Sequence, residues 1–194
     1  MFRLKLVTDS KWVKNVVEKN ISEILTDHAW CEQKAASNAI SIVVKYPEHP
    51  ELVAELIKLA QEELSHFAMV HKKIVERGFT LGRERKDDYV NRLYDFMHRS
   101  GSRETVLMDR LLFAAMVEAR SCERFKVLSE HIDDNDLAAF YRELMISEAN
   151  HYTLFIGFAK QYTDAKKADD RWEEWLDYES KIISGFGVKE TIHG

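Results

Sequence analysis

A glutamate and a histidine three residues apart project from one face of a helix. Together they offer the mixed oxygen and nitrogen donors that suit a divalent metal such as iron or manganese. The sequence contains three such E-x-x-H pairs: Glu63/His66, Glu148/His151 and Glu190/His193. A chain with eight histidines meets so short a pattern about once by chance. One copy, such as EELSH at 62–66, is as consistent with a solvated run of charge as with a metal site.

What separates the copies is symmetry about turns. YPEHP at 46–50 holds both prolines of the chain and predicts a helix–turn–helix hairpin. In such a hairpin, residues equidistant from the turn lie at one height, since each adds about 1.5 Å along its axis. Reflecting Glu63 and His66 about Glu48 lands near residue 32, which is Glu32. A second turn, DDND at 133–136, reflects Glu148 and His151 to Glu118. Each half thus reads as a glutamate, a turn, then E-x-x-H. Glu190/His193 has no mirrored partner and is taken as accidental. Glu123 competes with Glu118, but it reflects poorly and sits in the charged run RSCERFK, so Glu118 is preferred. Glu62 points about 100° away from Glu63 and reads as solvated. His28, four before Glu32, reads as a supporting side chain rather than a ligand.

Four carboxylates and two imidazoles at one level match the donor set of di-iron and di-manganese bundles. The reason is charge. Buried carboxylates each cost several kcal/mol without a partner, and two divalent cations neutralise four of them.

The elements that must position these residues are helical throughout. A short helix is expected at 9–19, capped by Thr8 or Asp9. Long helices follow at about 21–46, 51–77, 103–131 and 136–162. Asn20 and Glu23 fit a capping box, Gly78 a helix stop, and Asp134 or Asn135 a cap. A short helix is expected around Tyr89–His98 and a last one around 168–183, before an irregular tail. The fold class is all-α: a ferritin-like four-helix bundle of two antiparallel hairpins joined by a long crossover, with short extra N- and C-terminal helices. It forms a single domain over 1–194.

Composition narrows the function. Seven glycines and two prolines suit long uninterrupted helices. Two cysteines, Cys31 and Cys122, make no disulfide framework. No apolar run approaches a membrane span, and the N-terminus has no signal-peptide core, so the cytoplasm is expected. The net charge of −5 argues against a wholly basic nucleic-acid binder.

DHAWCEQKAASNAIS at 27–41, LAQEELSHF at 59–67, VEARSCERF at 117–125 and LMISEANHY at 144–152 resemble the helix signatures of the tRNA 2-methylthio-isopentenyladenosine hydroxylase family, over nearly the whole chain. The resemblance implies a non-haem di-iron monooxygenase. It would use O₂ to hydroxylate the isopentenyl side chain of a modified adenosine beside the tRNA anticodon. The implied metal ligands fall on Glu32, Glu63, His66, Glu118, Glu148 and His151. The implied cofactors are two iron ions, with O₂ as co-substrate. No flavin or nicotinamide fingerprint is present, so an external electron donor, a reductase or ferredoxin, is expected.

A tRNA enzyme needs a basic footprint. Residues 77–126 hold 11 Lys and Arg against 8 Asp and Glu, and Arg83, Arg85 and Lys86 are the candidates for tRNA contact. The alternative functions are other ferritin-like di-metal proteins: a rubrerythrin-like peroxidase, a manganese catalase or an iron-storage protein.

Overall fold

The computed structural model describes residues 2–185 and 191–192. The Glu190/His193 pair lies outside them, as does most of the tail expected to be irregular. Among the described residues there is no strand. A π-helical turn, Val13–Val17, precedes six α-helices: α1 Ile21–Lys45, α2 Pro50–Glu76, α3 Asp88–Phe96, α4 Arg103–His131, α5 Asn135–Gln161 and α6 Ala165–Gly185. The chain divides into two compact units, one of residues 19–86 with 190–192, the other of the remainder.

The first unit is the antiparallel hairpin α1–α2. Pro50 opens α2 at its first turn, where its missing N–H costs nothing. Gly78 ends α2 at φ +72°. The Phe79 N–H then donates to the Ile74 carbonyl at 3.0 Å and the Gly78 N–H to Val75 at 2.9 Å, closing the helix with a left-handed residue. The capping box expected at Asn20 and Glu23 does not form. Asn20 stands at the cap position but its side chain makes no capping bond. The Glu23 carboxylate turns instead to Arg85, at 3.4 Å.

The segment after Gly78 runs back along α1. The Gly82 N–H donates to Thr26 Oγ1 at 3.3 Å, and Trp30 Nε1–H donates to the Gly82 carbonyl at 3.0 Å. A Cβ at position 82 would meet Thr26 Cγ2 at 3.0 Å, so a larger residue there requires the Thr26 side chain to shift by a few tenths of an ångström.

The second unit is built on the hairpin α4–α5. Ser102 Oγ accepts from the Thr105 N–H at 3.2 Å. Asp134 Oδ1 accepts from Asp136 and Leu137, both at 3.0 Å, as expected of an N-cap. The expected first helix is shorter than 9–19 and closes a wider ring, with the Glu18 N–H on the Val13 carbonyl at 3.0 Å. Thr8 is not its cap. Its N–H and hydroxyl both donate to Glu123, at 2.8 and 2.7 Å.

That contact belongs to a buried ionic network. Arg120 donates to Glu179 Oε1 at 2.6 and 2.9 Å, to Glu123 at 2.8 Å and to the Leu6 carbonyl at 3.1 Å. Arg120 and Glu179 are both fully buried, and Glu123 nearly so. Burial raises the Glu179 carboxyl above its usual range, against the opposing pull of Arg120. A second pair joins α4 to α6: Arg171 grips Asp109 at 2.8 and 2.9 Å. Residues 120–125 of the charged run RSCERFK are therefore buried, and Lys126 is exposed. Helices α4 and α6 each bury arginines: Arg120 and Arg171 meet carboxylates, while Arg124 lies over the Trp12 ring at 4.4 Å.

Removing one member of such a pair strands the other. Glu179→Ala is expected to cost about 3–5 kcal/mol, or roughly 10 °C in Tm for a chain of this size. A calorimetric scan showing a drop below about 2 °C would contradict this account of the network.

Candidate metal centre

On α1, Glu32 is buried, and so are Glu63 and His66 on α2. Ligand-capable atoms of the three lie within 4.8 Å of one another. His66 Nδ1 is 3.3 Å from Glu63 Oε2 and 3.6 Å from Glu32 Oε2. His28, fully buried, donates from Nε2 to Glu32 Oε1 at 2.6 Å. It holds the outer oxygen of Glu32 and leaves the other for the cluster, as carboxylate–histidine pairs do around metals. Glu62, read as solvated, is half exposed, with Oε1 3.9 Å from His66 Nε2.

Burial by itself would raise the Glu32 carboxyl. The hydrogen bonds from His28 and then His66 outweigh it and hold that carboxyl well below its usual range. Burial would likewise lower His66, but Glu32 and Glu63 pull it up to about 10. The two carboxylates thus favour the protonated ring of His66. Among the described residues of this unit, no lysine or arginine is buried. This donor set is compatible with a divalent cation.

The second unit repeats the set. Glu118 on α4, and Glu148 and His151 on α5, are all buried, with ligand-capable atoms again within 4.8 Å of one another. Ser147 Oγ stands 3.5 Å from His151 Nε2. The unit's other buried carboxylates are each met by an arginine: Asp109 by Arg171, and Glu123 and Glu179 by Arg120. Glu118 and Glu148 gather around His151 instead. Glu123, the competing candidate, is committed to Thr8 and Arg120. The donor set of each unit, two carboxylates and one imidazole, fits a hard-to-borderline divalent ion.

Of the candidate tRNA contacts, Arg83 and Lys86 are exposed. Arg85 reaches the Glu23 carbonyl at 3.3 Å and Asp27 at 3.9 Å. Sequence reasoning missed the Arg120–Glu179 network, because α6 carries no spacing that would announce it.

The model of the tRNA-(MS[2]IO[6]A)-hydroxylase (MiaE) family matches residues 2–194. The chain belongs to the MiaE family. A Pseudomonas putida protein named tRNA 2-(methylsulfanyl)-N(6)-isopentenyladenosine(37) hydroxylase is 37% identical over 158 residues, covering 81% of this chain and 75% of that protein. The Salmonella typhimurium protein of the same name is 26% identical over 202 residues, covering 79% and 74%. Among solved structures, "Protein 43 with aldehyde deformylating oxygenase activity from Synechococcus" superposes with a TM-score of 0.91 at 31% identity, over 98% of this chain and 95% of that one. The MiaE fold seen here is thus all-α and ferritin-like, as expected from the paired hairpins. No described helix is long and apolar enough to cross a membrane.

The cysteines stand apart from both sets. Cys122 is buried and donates from Sγ to the Met145 carbonyl at 3.0 Å. Burial, then Glu118 and Glu123, push its thiol up to about 12. Such a thiol is thiolate in only about one molecule in ten thousand at pH 8, and thiolate is the reactive form. Iodoacetamide at pH 8 is expected to modify the half-buried Cys31 and spare Cys122 until the chain is unfolded. Because the folded value is raised, Cys122 gains reactivity only as pH climbs toward 12. Peptide mass spectrometry showing equal labelling of both at pH 8 would contradict this.

Proposed function

We propose that Glu32, Glu63 and His66 act with Glu118, Glu148 and His151 as the ligands of one di-iron centre, in a single catalytic domain formed by both units. On this reading the chain hydroxylates the isopentenyl side chain of 2-methylthio-isopentenyladenosine in tRNA. One observation carries it: the buried set of two carboxylates and a histidine occurs twice, at the two places where the chain repeats glutamate, turn and E-x-x-H. The names of the Pseudomonas and Salmonella relatives supply the substrate.

When bound, the two irons supply the reduction of O₂ and the oxidising power toward a C–H bond. The overall change balances as R–H + O₂ + 2 e⁻ + 2 H⁺ → R–OH + H₂O. The two electrons come from an outside carrier, a reductase or a ferredoxin. The chain's own residues do the rest. His28 orients Glu32 by holding one of its oxygens. Burial keeps water from the donor atoms, so charges there act at full strength. His66 gives up its proton when metal arrives, because only the neutral ring is a ligand. The tRNA, carrying its prenylated adenosine next to the anticodon, is met in the cytoplasm.

The structural likeness to a protein with aldehyde deformylating oxygenase activity favours a second reading, oxygen-dependent attack on an aldehyde. One set of assays separates the two. Iron-loaded protein is given reductant and O₂ with either modified tRNA or a long-chain aldehyde. The expected result is about two irons per chain by elemental analysis and a gain of one oxygen atom on the tRNA nucleoside by mass spectrometry. Unaltered tRNA at full iron loading would sink the hydroxylase reading, and a shortened hydrocarbon would favour the second.

Ligand assignments are tested by metal content. Glu63→Ala and Glu148→Ala are expected to lose iron, and Glu118→Ala to lose at least one ion. Glu123→Ala is expected to keep two and lose stability instead. His28→Ala should weaken iron binding by about 10- to 100-fold. Full iron retention in Glu118→Ala would return Glu123 to candidacy. Manganese in place of iron, or many irons per chain, would favour a catalase or a storage protein.

A further inference from the structure

The hairpin α1–α2 carries a surface feature that the metal ligands do not explain. Trp30 and Phe67 are half-buried side chains with ring centroids 5.9 Å apart. His71, exposed, lies parallel to Phe67 at 3° and 6.4 Å. Three rings thus form one row on the outside of the unit. Phe67 directly follows His66, and Trp30 precedes Glu32 by two residues, about 3 Å along the axis. The row therefore stands at the height of this unit's donor set.

Beside the row lies the most basic stretch of the chain. Residues 71–86 hold six Lys and Arg against two Glu, a net of four positive charges in a chain of net −5. Its last part is fixed in place. Trp30 holds the Gly82 carbonyl, Thr26 the Gly82 N–H, and Lys34 donates to the Arg85 carbonyl at 3.3 Å. Arg85 spends its charge on Glu23 and Asp27, so it is an anchor of the loop. Arg83 and Lys86, on either side of it, are exposed. A solvated, charge-balanced loop needs no such tethering. A tethered cationic loop next to aromatic rings has the two elements that bind unpaired nucleotides: cations for the phosphates and rings for the bases.

We infer that Trp30, Phe67 and His71 form a stacking platform for an unpaired base of the RNA, with Arg83 and Lys86 on the adjoining phosphates. This rests on the tRNA reading above and names the surface it uses. Sequence-specific RNA recognition targets loops, whose splayed bases stack on aromatic side chains. The occupant is accordingly the single-stranded loop of the substrate, not its duplex stem. The prenylated adenosine itself belongs to the metal centre; the platform takes a neighbour.

The test is binding, independent of turnover. A fluorescein-labelled anticodon stem-loop RNA without modified bases is titrated with wild-type protein and variants, followed by anisotropy at several salt concentrations. Arg83→Gln/Lys86→Gln is expected to weaken binding about tenfold and to flatten the salt dependence by about 1.4 in log–log slope, since each single-strand phosphate contact contributes about 0.7. His71→Ala should weaken it about fivefold with the slope unchanged, since a lost stack releases no counterions. His71→Phe should restore it. Lys45→Gln/Lys58→Gln, at the other end of the hairpin near Pro47, should bind as wild type. These positions are exposed, and circular dichroism confirms the fold.

Wild-type affinity and slope in both platform variants would overturn the inference. So would equal weakening by the Lys45/Lys58 control, which would mean bulk charge, or equal competition by a fully paired RNA duplex. The two readings fail separately. Binding through this patch with modified tRNA left unaltered at full iron loading removes the hydroxylase and keeps the surface. Hydroxylation by variants that bind as tightly as wild type removes the surface and keeps the hydroxylase.

Discussion

The structure depends on burying carboxylates inside its helices. A buried charge is tolerated only when another charge meets it, and this chain answers that demand in two ways. Asp109, Glu123 and Glu179 are met by Arg171 and Arg120. Glu32 and Glu63, and again Glu118 and Glu148, are gathered around histidines. Arginine cannot be displaced or deprotonated, so the first answer is permanent. Histidine can release its proton to solvent and offer the neutral ring to a metal, so the second is open to exchange. One helix, α4, carries both kinds within two turns.

Much of this was legible beforehand, for a physical reason. Long helices leave a period of 3.6 residues in the sequence, and hairpin turns leave prolines or Asp–Asn clusters. Pro47, Pro50 and the DDND turn fixed the mirror points, and Glu32 and Glu118 followed. All six expected ligands are interior, and His28 sits against Glu32 as its spacing suggested. Glu123 was harder. A run such as RSCERFK looks solvated, because the Arg120–Glu123 pair within it does not reveal the distant partners that bury it. Those partners are Leu6, Thr8 and Glu179, more than fifty residues away in sequence. The same holds for Glu23, whose expected bond to its own helix gives way to Arg85. Local signals predict local bonds, and they fail where a distant cation outbids the backbone.

The loop after Gly78 shows how a connection becomes a working part. Its charge was visible in the sequence, but its fixation was not. Gly82 admits the close approach to Thr26, and Trp30 and Lys34 hold backbone carbonyls on either side. Binding a flexible partner to a fixed surface orders one side of the interface instead of two.

The Arg120 network also sets an order of assembly. Helix α4 joins a carbonyl at residue 6, a threonine at residue 8 and a carboxylate at residue 179. During synthesis Leu6 and Thr8 precede Arg120, and Glu179 follows it by 59 residues. Until α6 emerges, Arg120 is an arginine in search of its second carboxylate. The α1–α2 hairpin faces no such wait, since nearly all of its residues, 19–86, are contiguous. Domains fold as units while the chain lengthens. The donor set on α1–α2 is thus built within one nearly contiguous unit, while α4, which carries Glu118, is also tied to residues 6, 8 and 179.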